Sequence, residues 1–133
     1  MAAKSAVNFA ATVERYLNQY GAAALDAVSE AVEEVSTEAV KKLRTESAAA
    51  YGSGEYSKGW TRTVERGRMT TTAIVHGKKP TYRLAHLLEY GHVSKNGTGR
   101  TFGTVPGRAH IEPVATWAAE EAADRIINKL EAI

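Results

Sequence analysis

The stretch LDAVSEAVEEVSTEAVKKL, Leu25 to Leu43, decides the fold. Leu25, Val28, Val32, Val35, Ala39 and Leu43 recur at steps of three and four, an apolar stripe along one face of an α-helix. Asp26, Glu30, Glu33 and Glu34 come early and Lys41, Lys42 and Arg44 late, an order that suits the helix macrodipole. Glu38 and Lys42 add an i,i+4 pair. The stripe predicts a helix packed on a sheet, with a helix of another subunit as the alternative partner. Upstream, roughly Ala6 to Tyr20 reads as an earlier helical piece that stops or bends at Gly21.

Downstream the period breaks at YGSGEYSKGW, where Gly52, Ser53, Gly54 and Gly59 mark a loop leading from helix to strand. WTRTVE and MTTTAIVHG follow, rich in Thr, Val, Ile and Trp. Trp60 and Val64 share one face, as do Met69, Ala73 and Val75. Arg66-Gly67 reads as a hairpin turn in which Gly supplies a positive φ. A short helix is expected over Thr81–Tyr90, with Thr81 as N-cap after Pro80 and Leu84, Leu87 and Leu88 as its buried face. Gly91 stands where a left-handed residue would close it.

Residues 93–109 are dominated by Gly97, Gly99, Gly103, Pro106 and Gly107, a long connection of the kind that is functional or orders on binding. Asn96-Gly97 suits the tip of a β-hairpin, which would turn the loop into an extended arm. The last helix runs from Pro113 to Leu130 with proline in its first turn and an i+4 ridge of Val114, Ala118, Ala122, Ile126 and Leu130. The expected fold is therefore α+β. A long N-terminal helix and a C-terminal helix pack on a small antiparallel sheet, with a short helix and an extended loop or β-hairpin arm. The chain is read as a single structural domain: 1–48 helical, 56–77 a β-hairpin, 81–91 a short helix, 92–109 the arm and 113–131 the last helix.

Composition narrows the function classes. The 133 residues are 44% hydrophobic and 24% charged, ordinary globular usage for one domain. Without cysteine there are no disulfides, thiol nucleophiles or zinc ribbons, which suits a reducing cytoplasm. The N-terminus MAAKSAVNFAATVERY lacks a secretory apolar region, and no window approaches the ~20 apolar residues of a membrane span. A soluble chain with no membrane partner is expected. The net charge of +2 conceals an asymmetry: residues 58–110 carry ten Lys/Arg against Glu65 and Glu89, while the flanks hold seven basic and thirteen acidic residues. A basic middle between acidic ends can bind nucleic acid or meet the acidic surface of a neighbouring copy; alternatively, the blocks face each other within one fold.

HLLEYGH, His86 to His92, is the one stretch with the look of chemistry. On a helix His86, Glu89 and His92 would lie at about 0°, 300° and 240°, which converges poorly on one ion. The i,i+4 histidine pair of helical zinc sites is absent, and Gly91 ends the helix before His92. His110 is a distant fourth candidate with no carboxylate fixed beside it. There is no nucleophile elbow, P-loop or dinucleotide fingerprint, Ser94 with His92 lacks an orienting acid, and nothing sets a distance between Glu89 and Glu112. No cofactor is implied. For nucleic acid, Lys95, Arg100 and Arg108 on the arm, with Lys78, Lys79 and Arg83 nearby, would neutralise phosphates, and Tyr90 and Phe102 would stack. Two aromatics make a thin platform, so the arm reads as an interaction element whose partner is protein.

The stretch YRLAHLLEYGHVSKNGTGRTFGTVPGRAHIEP closely resembles the signature of the HK97 gp10-like family of tailed-phage structural proteins. Tyr82, Leu84, Ala85, His86, Leu87, Leu88, Glu89, Gly91 and His92 match its short helix, and Val105, Pro106, Gly107, Arg108, His110, Ile111 and Pro113 match the entry to its last helix. Ala109 stands where the family usually has proline. GSGEYSKGW, Gly52 to Trp60, resembles the family's entry into the first strand, with Ser53 in place of a common threonine. The likeness covers roughly residues 50–133 by motif and the N-terminal helix by layout only.

The resemblance implies a non-enzymatic virion protein of the phage neck or tail, made in the host bacterial cytoplasm, that completes the tail or joins head to tail. Its partners would be copies of itself, in a ring of about six to twelve, the adjoining connector and tail proteins, and DNA passing through the lumen. His92, Lys95, Asn96, Arg100, Phe102 and Arg108 would be the arm's contact residues; His86, Glu89, Gly91, Pro106, Gly107 and His110 would form its hinge; Lys78, Lys79 and Arg83 would be further charged contacts. The alternative, resting on the basic segment alone, is a small toxin–antitoxin-like or other nucleic-acid-binding protein.

Overall fold

Every fourth residue from Ala27 to Ser47 is small or aliphatic, and Ala27, Ala31, Val35, Ala39, Leu43 and Ser47 are all buried. They form one ridge of helix α1, Ala2–Tyr51, in a computed structural model that describes the backbone of residues 2–95 and 101–133 and the side chains of residues 11–91 and 106–133. A four-residue step overshoots a full turn by about 40°, so the ridge winds around the helix, and two partners lie side by side along this same stretch. Those partners are a two-stranded antiparallel sheet, β1 (Trp60–Arg66) and β2 (Thr71–Gly77), and the C-terminal helix α4, Glu112–Glu131. Between them come a single helical turn α2 (Glu55–Lys58), a 3-10 turn (Thr81–Arg83), the short helix α3 (Leu84–Tyr90) and a second antiparallel pair, β3 (Gly91–Lys95) and β4 (Thr101–Pro106). The expected α+β architecture holds, and it is mostly helical. Among the described residues no helix is long and apolar enough to cross a membrane.

Ala39, Val40, Leu43, Trp60 and Val114 form the centre of the core, with Tyr56, Val75, Ala85, Ile111, Trp117 and Ala118 packed around them. Small residues on α1 and α4 (Ala31, Ala39, Ala118, Ala122) let the two helices lie close. Buried hydroxyls are satisfied within the chain: Trp60 Nε1 donates to Ser47 Oγ at 2.8 Å, Arg62 Nη1 to Ser36 Oγ at 3.2 Å, and Ser29 Oγ lies 2.5 Å from Thr71 Oγ1. Arg44 donates through Nε and Nη2 to the Trp60 carbonyl at 3.1 and 2.7 Å. Trp60 thus joins the first strand to α1 by apolar contact and by both ends of its polarity.

Several local expectations give way to packing. Gly21 neither stops nor starts a helix, because its cost of about 1 kcal/mol relative to alanine is small beside the helix formers around it. The acidic and basic runs of α1 are therefore interior, its first turn carries no acid and its last turn no base, and the dipole argument does not apply. The acids serve α4 instead. Arg125 sits among Glu38, Glu34 (3.7 Å) and Glu121 (2.9 Å), and Lys129 Nζ lies 3.1 Å from Glu34 and 3.4 Å from Glu30. Among the described residues of the basic middle segment only Arg66 pairs with such acids, at 3.0 Å from Glu33 and 4.0 Å from Asp26. Among the described residues the two charge blocks thus pair at that point alone, while acids of α1 and bases of α4 neutralise one another.

In the first hairpin Trp60 pairs with Gly77 and Arg66 with Thr71. The connection spans Gly67 to Thr70, closed by Gly67 N–H to the Thr70 carbonyl at 2.6 Å, so it is wider than an Arg66-Gly67 turn and Gly67 has no positive φ. Met69 lies in this loop, 74% exposed, rather than on the face of Ala73 and Val75. Thr81 does not cap with its side chain, which bonds back to the Lys78 carbonyl at 3.2 Å. Leu84 and Leu87 are exposed and only Leu88 is half-buried, because α3 turns Glu89 and Ala85 inward instead. Trp60→Ala should lower stability by about 3–5 kcal/mol in urea unfolding, through cavity formation and the stranded Ser47 hydroxyl. Ile74→Ala, on the outer face of β2, should change it by less than about 0.5 kcal/mol.

Candidate functional site

Helix α4 begins with a shortage. Its N-cap position is Ile111, which has no side-chain acceptor, and Pro113 has no N–H. The free N–H groups at His110, Ile111 and Glu112 need acceptors from elsewhere. Glu89, at the inner face of α3, supplies them: Oε1 accepts from His110 N at 2.7 Å and Ile111 N at 3.0 Å, and Oε2 from Glu112 N at 2.8 Å. One carboxylate, itself 6% exposed, thus caps a helix to which it is joined only through the second hairpin. Burial alone would raise the Glu89 pKa, but the three backbone N–H groups and His110 outweigh it and hold the carboxyl below its ordinary 4.5.

His110, 1% exposed, completes the clasp. Its Nδ1 lies 2.7 Å from the Arg108 carbonyl and 3.0 Å from Glu89 Oε1; both are acceptors, so Nδ1 carries the proton. Nε2 lies 2.5 Å from the Tyr56 hydroxyl. Burial, reinforced by the negative charge of Glu89, pushes the Tyr56 phenol up to about 12, so it keeps its proton and donates it to Nε2. Edge-to-face ring contacts extend the cluster, Tyr51 and Tyr56 each about perpendicular to His110 and Tyr56 to Trp60. The clasp therefore runs from α3 through the start of α4 to α2 and the core.

Between the two halves of the clasp the chain leaves as β3 and returns as β4. Gly91 pairs with Pro106, His92 with Val105, Val93 with Thr104 and Ser94 with Gly103, with an irregularity before Lys95 pairs with Thr101. The expected β-hairpin form of the arm is the one found. Gly91 has φ +85° and ψ 172°, a conformation open essentially to glycine alone. It ends α3 as foreseen, but it turns directly into a strand. Gly107 presses on the same point: a Cβ there would lie 2.5 Å from Gly91 N and nearer still to the Glu89 carbonyl oxygen. Arg108 then fastens the exit, its N–H donating to the Leu88 carbonyl at 2.9 Å and the Tyr51 hydroxyl at 3.1 Å, and Nη1 to the Ala50 carbonyl at 3.0 Å. That places its charge on the otherwise unneutralised C-terminal turn of α1.

Of the residues singled out in the sequence, the structure joins Glu89, Gly91, Pro106, Gly107, Arg108 and His110. The view that no carboxylate stands beside His110 is overturned, because the hairpin carries the chain back to where it left α3. His86 stays outside the clasp, its ring 5.1 Å from that of Tyr90 on the exposed side of α3. The side chains of His92, Lys95, Asn96, Arg100 and Phe102 lie outside the described residues. Arg83 lies over the Tyr82 ring. Lys58, Lys78, Lys79 and Arg83 are exposed, and among the described residues none of them pairs with a carboxylate. Sequence reasoning passed over Tyr51 and Tyr56 as clasp residues; the signal that could have found them is the uncapped start of α4, which demands outside partners.

Glu89→Gln keeps the shape but turns an amide NH2 toward backbone donors, and should cost about 2–4 kcal/mol at neutral pH in chemical unfolding. Because the folded pKa of Glu89 is depressed, its contribution is complete above its unfolded value near 4.5 and is lost as pH falls through the folded value. The acid limb of stability below pH 4.5 should accordingly be shallower in Glu89→Gln than in the native chain. Gly107→Ala should part the two strand ends, read as faster amide exchange at Gly91 and Arg108 with α1 unaffected.

Compared with known proteins, the chain matches no protein-family profile, no curated protein and no solved structure, so the likeness borne by its motifs rests on those residues alone.

Proposed function

We propose that the protein is a non-enzymatic structural component of a tailed-phage virion, assembling as a homo-oligomeric ring at the neck or head–tail junction. The β3–β4 hairpin would reach the adjacent subunit or the next ring. The observation that carries this is the hairpin itself. It forms a two-stranded sheet of its own, paired with no described strand of the first sheet and clasped at its base by Glu89, His110, Gly107 and Arg108. Two strands alone are marginal in water, so such a hairpin gains by lying against something. Further support comes from His110, whose two ring nitrogens are both committed to internal partners, an arrangement suited to holding rather than to proton transfer. The motif likeness from Gly52 to Pro113 names the class of assembly, with adjoining connector and tail proteins and DNA in the lumen as its other contacts.

A second possibility, direct nucleic-acid binding, draws on one observation: Lys58, Lys78 and Lys79 line a common depression beside Pro80, outnumbering Glu55 there, and none of the three forms an ion pair among the described residues. Native mass measurement and electron microscopy of the purified protein separate the two. Closed rings of a single size, with amide protection over residues 91–106 rising on assembly, are expected. A monomer or dimer at all concentrations that binds DNA with a steep salt dependence would replace the ring by the second reading.

A further inference from the structure

Between Val13 and Tyr20, helix α1 carries large apolar side chains that stand exposed. The helix is 50 residues long, roughly 75 Å at 1.5 Å per residue, yet among its described residues the buried ones begin only at Ala27. Before that point Val13, Tyr16, Leu17 and Tyr20 follow the i, i+3, i+4, i+7 spacing of one helical face, and the last three are 65%, 66% and 54% exposed. Val13 and Ala31 are five full turns apart, so this face is the continuation of the one that the core covers further along. Glu14 and Arg15, the only charged residues between Ala11 and Ala24, fall about 100° and 200° away from it.

The same chain holds a hollow without a filling. A groove of about 230 Å³ opens between α1, β2 and α4, lined chiefly by Val32, Val35, Ala73, Val75, Ala118 and Ala122. An apolar cavity of about 150 Å³ takes a benzene ring, so this one has room for a tyrosine ring. The ridge cannot fill its own groove. Val32 and Val35 belong to α1 itself, and Tyr20 is separated from Val32 by about 18 Å of continuous helix that cannot fold back.

We infer that the Val13–Tyr20 ridge of one copy seats in the α1–β2–α4 groove of the next copy, with Tyr16 and Tyr20 as the inserted side chains. Bulky rings on one patch and alanines on the other make the two surfaces complementary, and no charge is carried into the groove. Because ridge and groove are different patches of one chain, the contact is head-to-tail, the kind that propagates until it closes a ring. It rests on the ring assignment for that closure alone; the seating itself does not involve the hairpin.

The absence of cysteine gives a clean test. Tyr20→Cys and Ala122→Cys variants, mixed and oxidised, should form a disulfide-linked pair containing one of each. Tyr20→Cys mixed with Thr63→Cys, on the outer face of β1, should not. Tyr16→Ser/Leu17→Ser/Tyr20→Ser, all at exposed positions, should keep the native melting curve and weaken assembly by roughly tenfold or more. An unchanged oligomer in the triple variant overturns the inference while leaving a hairpin-built ring intact. Tyr20→Cys cross-linking to itself overturns it in favour of paired extensions, and a wild-type chain that stays monomeric overturns both ring and seating.

Discussion

A buried carboxylate with three backbone donors is the constraint on which the rest of the structure depends. Burying Glu89 would cost several kcal/mol if it were left unpaired, and the free N–H groups it meets are those at the start of α4. α4 in turn has no acceptor of its own at that end. Each lack is the other's remedy, so α3 and α4 are fixed end to end whatever the hairpin between them does. His110 then relays the constraint to Tyr56, and Arg108 to the last turn of α1. The hairpin therefore leaves and re-enters the body at one defined point.

The long helix shows what periodicity can and cannot reveal. Val35, Ala39 and Leu43 were legible as core because they obey the helical step and are buried. Leu25, assigned to the same stripe, is exposed, while the alanines and serines that carry the actual ridge were too small to register as apolar signals. Hydrophobicity finds the side chains that need burial. It does not find Ala27, Ala31 or Ser47, which are buried because only a small residue lets another element approach. The charges were misread for a related reason: Glu30 and Glu34 looked like dipole compensation, and Glu38 like the partner of Lys42, until α4 brought Arg125 and Lys129 alongside.

The clasp was half legible. Gly91 could be placed at the end of α3 because positive φ leaves a local mark in the residue type. The Glu89–His110 pair could not, since 21 residues separate them and nothing local says that a strand pair brings the chain back. Motif likeness drew attention to both residues, yet likeness alone does not distinguish a metal site from a cap; the distances to three backbone nitrogens do. The same geometry explains why Leu84 and Leu87 face outward: α3 is so short that turning Glu89 inward leaves no freedom to bury them as well.

The hairpin and the exposed Val13–Tyr20 face of α1 differ in what each could contribute to an assembly. The hairpin is held at its base by polar clasps and offers backbone edges, which pair with little regard to side-chain detail. The α1 extension offers bulky apolar side chains, whose seating depends on the shape of the hollow that receives them. In the proposed ring the first would supply adaptability toward different neighbours, and the second would set the angle between identical copies. That angle decides whether a head-to-tail contact closes or runs on as a filament. A helix anchored from Ala27 onward by a run of buried and half-buried residues is a suitable element to fix it, because the direction of the ridge relative to the groove is then built into a single continuous segment.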